Sequence, residues 1–93
     1  MKFGLTDKEM ERIQRILKEQ GVTKCVIFGS RAKGTHKPYS DIDLAIWGET
    51  EMGRLFCLLD ELPTPYKFDL IKYQEIGNQE LKKQIDAQGV VLW

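Results

Sequence analysis

Apolar positions in this chain switch between helical and strand spacing. Met10, Ile13 and Leu17 recur three and four residues apart, behind Thr6-Asp7-Lys8-Glu9, whose Thr and Glu have the spacing of a capping box. Gly21 stands where a helix C-terminal glycine belongs. Val22–Phe28 is a short β-rich run closed by Gly29, and the polar connection SRAKGTHKPYS follows it. Asp41–Trp47 then alternates, with Ile42, Leu44 and Ile46 on one face and Asp41, Asp43, Ala45 and Trp47 on the other, which predicts a strand. Met52, Leu55, Phe56 and Leu59 return to helical spacing in a core helix, Met52–Leu62, that stops before Pro63 and Pro65. Lys67–Ile71 alternates again, setting Phe68 and Leu70 opposite Asp69. Asn78 is placed to cap a last helix carrying Leu81 and Ile85, and Gly89 leads into the apolar run Val90–Trp93. The order αβ(α)βαβαβ predicts a small sheet with helices packed on it.

Composition narrows the class. Ninety-three residues suit one small domain, residues 1–93, and leave no room for a second. Hydrophobic residues make up 42% and charged residues 30%, a globular rather than a disordered balance. No apolar run approaches the length of a membrane-spanning helix, and the N-terminus has no signal-peptide pattern, so the cytoplasm is the expected location. Cys25 and Cys57 lie in apolar segments without close spacing and read as reduced core residues. The lone histidine, His36, excludes a Cys/His zinc site built from this chain alone and reads as a solvated loop residue.

Net charge is zero, which argues against general nucleic-acid binding. The charge is nonetheless segregated. Lys24, Arg31, Lys33 and Lys37 stand without an acidic residue between Gly21 and Ser40. Asp41, Asp43, Glu49, Glu51, Asp60 and Glu61 then face Arg54 alone. Chance suffices to explain this in a short chain unless the basic stretch holds an anion and the acidic one a cation.

Several phosphate and metal motifs are ruled out. Gly29 and Gly34 are spaced as in a P-loop, but Thr35-His36 replaces its Lys-Ser/Thr. No two glycines lie two apart, which removes the dinucleotide fingerprint. Asp41-Ile42-Asp43 opens like a calcium loop, yet Ala45-Ile46 follow where a ligand and a glycine are needed. Ser30 is preceded by Phe28-Gly29, not by the G-x of a nucleophile elbow.

The remaining chemistry gathers in FGSRAKGTHKPYSDIDLAI and KFDLI. Asp41 and Asp43, two apart on a strand, point to one face with Cα atoms about 6.6–7 Å apart. Carboxylates so close repel one another, and one is held protonated unless a cation intervenes. Asp69 adds a third if its strand is a neighbour. Three such groups suit Mg²⁺, and two ions about 3.5–4 Å apart would clamp an in-line phosphoryl displacement. Gly29 allows a sharp turn, where backbone N–H groups and the Ser30 hydroxyl can cradle phosphates, with Arg31 and Lys33 adding positive charge. Each piece alone has a plainer reading: a solvated rim for Asp-x-Asp, a simple turn for Gly-Ser, and a strand residue paired with Lys67 or Lys72 for Asp69.

Taken jointly, Gly29–Asp43 plus Asp69 resembles the nucleotidyltransferase superfamily that includes DNA polymerase β, and within it the minimal nucleotidyltransferases of prokaryotes. The resemblance extends along nearly the whole chain. It implies an α+β fold with a small mixed β-sheet. It also implies that Gly29 and Ser30 bind nucleotide, that Asp41 and Asp43 bind Mg²⁺, and that Asp69 binds metal or helps deprotonate an acceptor hydroxyl. Arg31, by its charge beside that turn, is expected to bind the nucleotide as well. ATP is the implied substrate. Larger relatives carry extra domains for the acceptor, so this chain is expected to find its acceptor on a second chain. The pairing implied by resemblance is with a HEPN-type helical toxin, AMP being transferred to one of its tyrosines by the small enzyme acting as antitoxin. Transfer to a small molecule held at an oligomer interface, and a non-catalytic antitoxin that neutralises by contact, are the other two readings.

Outside the motif the signals are weaker. Tyr39 either stacks on a base or is an exposed loop residue. Trp47 either borders the nucleotide or closes an edge of the core. Tyr66, Tyr73 and Trp93 either form a partner or homo-oligomer surface or complete the core.

Overall fold

In the computed structural model, which describes residues 2–92, four strands form a mixed sheet in the order β3-β2-β1-β4. The chain runs α1 (Asp7–Glu19), β1 (Val22–Phe28), α2 (Gly29–Lys33), β2 (Ile42–Gly48), α3 (Met52–Asp60), β3 (Phe68–Lys72), a 3₁₀ turn (Tyr73–Glu75), α4 (Gln79–Gln88) and β4 (Val90–Val91). β1 pairs antiparallel with both β2 and β4, whereas β2 and β3 run parallel. The parallel pair needs a crossover, and α3 supplies it.

Local signals set the helix ends. The Thr6 hydroxyl accepts from the Glu9 N–H at 3.1 Å while the Glu9 carboxylate accepts from the Thr6 N–H at 2.8 Å, so the capping box is complete. The Asn78 side chain caps α4 by accepting from the N–H groups of Glu80 and Leu81. α3 begins on Glu51, whose carboxylate accepts from Gly53 and Arg54 N–H groups and is held below its usual range by them.

Both faces of the sheet are covered, unequally. On one, Ile13 and Leu17 of α1 and Leu55 and Leu59 of α3 pack over Cys25, Ile27, Ile42, Leu44, Ile46 and Phe68. The burial of Cys25 pushes its thiol up to about 12, so it stays protonated and inert. On the other face a smaller cluster joins Val26, Ala45, Ile76 and Ile85, flanked by Phe28, Trp47, Ile71, Tyr73 and Leu81.

Four expectations change. Cys57 is exposed, not a core residue, because α3 turns Leu55 and Leu59 inward and leaves the side of Phe56 and Cys57 to solvent. α3 ends at Asp60, two residues before Leu62. The β2 ladder starts at Ile42, whose N–H donates to the Lys67 carbonyl at 2.8 Å, so Asp41 stands just ahead of the strand. His36 is half-buried against the N-terminal turn rather than solvated. Trp93, expected in the last strand or on a partner surface, lies outside the described residues.

Candidate active site

Sheet register decides which carboxylates meet. β2 and β3 align Asp43 with Asp69, and the side-chain period of two puts both on the face shared with Ala45. The alternation of each strand was legible in sequence; their adjacency is what the fold adds. On the other flank β1 aligns Phe28 with Asp43, so the turn at Gly29 comes directly beside that carboxylate. Asp43 is half-buried, whereas Asp41 and Asp69 are exposed.

Gly29 is required twice over. Its φ of 73° lies in the left-handed region, and a Cβ at this position would collide with the Asp43 Oδ2 atom. The strand therefore ends in a turn that lets backbone approach a carboxylate, and Ser30 follows in the first turn of α2. Backbone N–H groups in a first helical turn have no acceptor within the helix, which leaves them for an anion.

Burial is the main cause that pushes Asp43 up to about 6. The negative charges of Asp69 and Asp41 and a hydrogen bond shared with Asp69 act in the same direction, while Arg31 opposes them. Among the described residues no three donors are drawn into a closed ligand set. The donor chemistry nonetheless fits a hard divalent ion. The like charges that add to the effect of burial on Asp43 are those such an ion would neutralise, and Asp41, Asp43 and Asp69 would hold it through oxygen.

Arg31 does not stand where a nucleotide contact was expected. Its side chain is 2% exposed, and its guanidinium is engaged by main-chain carbonyls. Nε and Nη2 donate to the Ser40 carbonyl at 3.1 and 2.7 Å, and Nη1 donates to the Phe3 carbonyl at 2.7 Å. Tyr66 stacks on the guanidinium at 4.5 Å, which gives that tyrosine a core role. Lys33 and Tyr39 are exposed, Tyr39 at 76%. Nothing in the sequence pointed to Phe3 or to the carbonyl of Ser40, because main-chain acceptors carry no residue-type signal.

Trp47 lies at the far end of β2 from Asp43. Its ring stacks on Tyr73 at 4.4 Å with Lys24 over it at 4.7 Å, and Tyr73 donates its hydroxyl proton to Asp86 at 2.8 Å. Trp47 thus closes the small cluster.

This architecture agrees with what comparison finds. The family model for the polymerase beta nucleotidyltransferase domain matches residues 11–93, and the chain belongs to that family. A protein classed as a minimal nucleotidyltransferase superposes with a TM-score of 0.71 at 20% identity, over 97% of this chain and 95% of its own. A toxin–antitoxin crystal structure with AMP-PNP gives 0.68 at 24% identity, over 90% of this chain and 72% of that one. A variant of the MntA-HpeT toxin–antitoxin gives 0.66 at 21%, over 90% and 71%. No curated protein matches the chain. Among the described residues no helix is long and apolar enough to cross a membrane.

Proposed function

We propose that this chain is a Mg²⁺-dependent nucleotidyltransferase that moves AMP from ATP to a hydroxyl on a partner protein. The observation that carries this reading is the pairing of Asp43 with Asp69 beside a glycine that must be glycine. Family membership supports the reaction class. The relative solved with AMP-PNP in a toxin–antitoxin complex supports both the nucleotide and a protein partner.

In this mechanism the Gly29–Ser30 turn holds the β- and γ-phosphates through main-chain N–H groups and the Ser30 hydroxyl. Asp41, Asp43 and Asp69 hold the metal; two ions suit the reaction, and bound there they supply positive charge to the phosphate oxygens. The acceptor oxygen bonds to the α-phosphorus, the bond from that phosphorus to the bridging oxygen breaks, and pyrophosphate leaves. Asp69, exposed beside Asp43, accepts the proton of the attacking hydroxyl. A tyrosine of a HEPN-type toxin is the proposed acceptor and the antitoxin role the proposed outcome, in the cytoplasm.

Label transfer tests this. α-Labelled ATP, Mg²⁺ and a lysate of the source cell are combined with wild type or with Asp41→Asn/Asp43→Asn. A labelled protein band that requires both aspartates is the expected result, and its mass identifies the acceptor. Label found only in small molecules would reassign the acceptor. Neutralisation of a partner that survives in the double variant without any label would replace catalysis by binding.

A further inference from the structure

Arg31 and Thr50 are the buried polar residues among those described, and Arg31 alone of the two is charged. Its fork spans two chain segments far apart in sequence, through the carbonyls of Ser40 and Phe3. Ser40 is the residue before Asp41, and Asp41 stands outside the ladder that fixes Asp43 and Asp69. The approach to Asp41 is held instead by this fork and by the turn in which the Ser40 hydroxyl accepts from the Lys37 N–H at 2.8 Å.

The other end of the fork is built at some cost. Phe3 takes a φ of 58°, a conformation that disfavours a bulky side chain, and the Leu5 N–H bonds the Lys2 carbonyl at 2.9 Å to close the turn. Gly4 follows with φ 73°, where a Cβ would lie 2.5 Å from His36 Nε2 and 2.8 Å from Arg31 Nη1. This turn precedes residue 11, where the family match begins.

We propose that Arg31 is a positioning residue that fastens Ser40, and through it Asp41, to the N-terminal turn Phe3–Gly4. The proposal rests on the metal-binding reading above. It assigns the effect to the two-carbonyl fork and not to charge: a lysine ammonium keeps the charge but cannot span both carbonyls in one plane.

Two readouts on the full chain test it, neither of which is turnover: Mn²⁺ affinity by electron paramagnetic resonance, and ¹⁵N relaxation at Ser40 and Asp41 without metal. Arg31→Met and Arg31→Lys are both expected to bind Mn²⁺ about ten- to a hundredfold more weakly. Both should also mobilise Ser40 and Asp41 while leaving the Asp43 amide as in wild type. Gly4→Ala, which retains Arg31 and pushes on its Nη1, should shift both readouts the same way by less, and it provides the reading if Arg31→Met fails to fold. Folded variants with wild-type Mn²⁺ affinity overturn the proposal, as does full affinity in Arg31→Lys. An Arg31→Met protein that loses metal-free ATP binding but keeps Mn²⁺ affinity also overturns it and restores a nucleotide role. A wild type that binds no Mn²⁺, with or without ATP, removes the metal reading and the proposal with it. Unaffected variants of a Mn²⁺-binding wild type remove the proposal alone.

Discussion

One face of β2 behaves differently at its two ends. Toward the C-terminal end, Ala45 and Trp47 are covered by Ile85 of α4, by Ile76 and by the stacked Tyr73, with no charge at the centre of the cluster. Toward the start, the same face presents Asp43 beside Asp69 and is left open, with Asp41 at the rim. The pleat is continuous; only the cover changes. Like charges are tolerated where water and a counterion can reach them, and apolar packing takes over where a helix seals the sheet.

The largest expected effect separates chemistry from folding. Asp43→Asn should reduce AMP transfer by at least about a hundredfold, the scale seen when one electrostatic contact to a reacting group is lost. Labelled-AMP incorporation measures this, and an unchanged circular dichroism spectrum shows that the fold persists. A variant that transfers AMP at near wild-type rate would erase the distinction between the two ends. At the covered end, Ile85→Ala should cost about 2–4 kcal/mol of stability through the cavity it leaves under α4. Urea denaturation reads that cost, and Mn²⁺ affinity in the folded protein should stay near wild type. A loss of Mn²⁺ affinity of about tenfold or more would mean that the ends are mechanically one unit. Gly29→Ala comes next in size, about 1–3 kcal/mol, because it forces an L-residue into a left-handed φ and presses on Asp43. Unlike Ile85→Ala, it should lower stability and Mn²⁺ affinity together.

The open end was the more legible in sequence, for physical reasons. Strand alternation placed Asp41 and Asp43 on one face, and Gly29-Ser30 marked the turn; both are local properties of a few residues. The neighbourhood of Asp69 was conditional, since periodicity specifies which face a residue takes and never which strand lies alongside. Burial of the second face under α4 was harder to foresee, because Ala45 and Trp47 share the aspartates' alternation and nothing local separates a covered Ala from an exposed one. Arg31 was read by its charge as a phosphate contact. Its task is set by two main-chain oxygens and a tyrosine ring that sequence cannot bring together. His36 was misread for the same reason: its neighbour Gly4 is distant along the chain.

The smallest effect is in the opposite direction from the rest. A carboxyl whose folded value is raised to about 6 binds its proton more tightly in the folded than in the unfolded chain, where it titrates near 3.9. That contribution to stability is fully present below pH ~4 and is lost as pH rises through about 6. At pH 8 the metal-free wild type therefore carries an ionised Asp43 that the fold disfavours, and Asp43→Asn does not. The variant should be the more stable by about 1 kcal/mol, after allowance for solvent screening of a half-buried carboxylate. The gain corresponds to roughly 4–8 °C in Tm for a domain of this size. Tm compared in chelator at pH 8 and pH 4 checks it: the advantage should be present at the first and absent at the second. Excess Mn²⁺ at pH 8 should stabilise wild type and not the variant, reversing their order, because a ligand bound only to the folded state adds to its stability. A variant less stable than wild type at both pH values would mean that the open end is held together by Asp43 rather than strained by it.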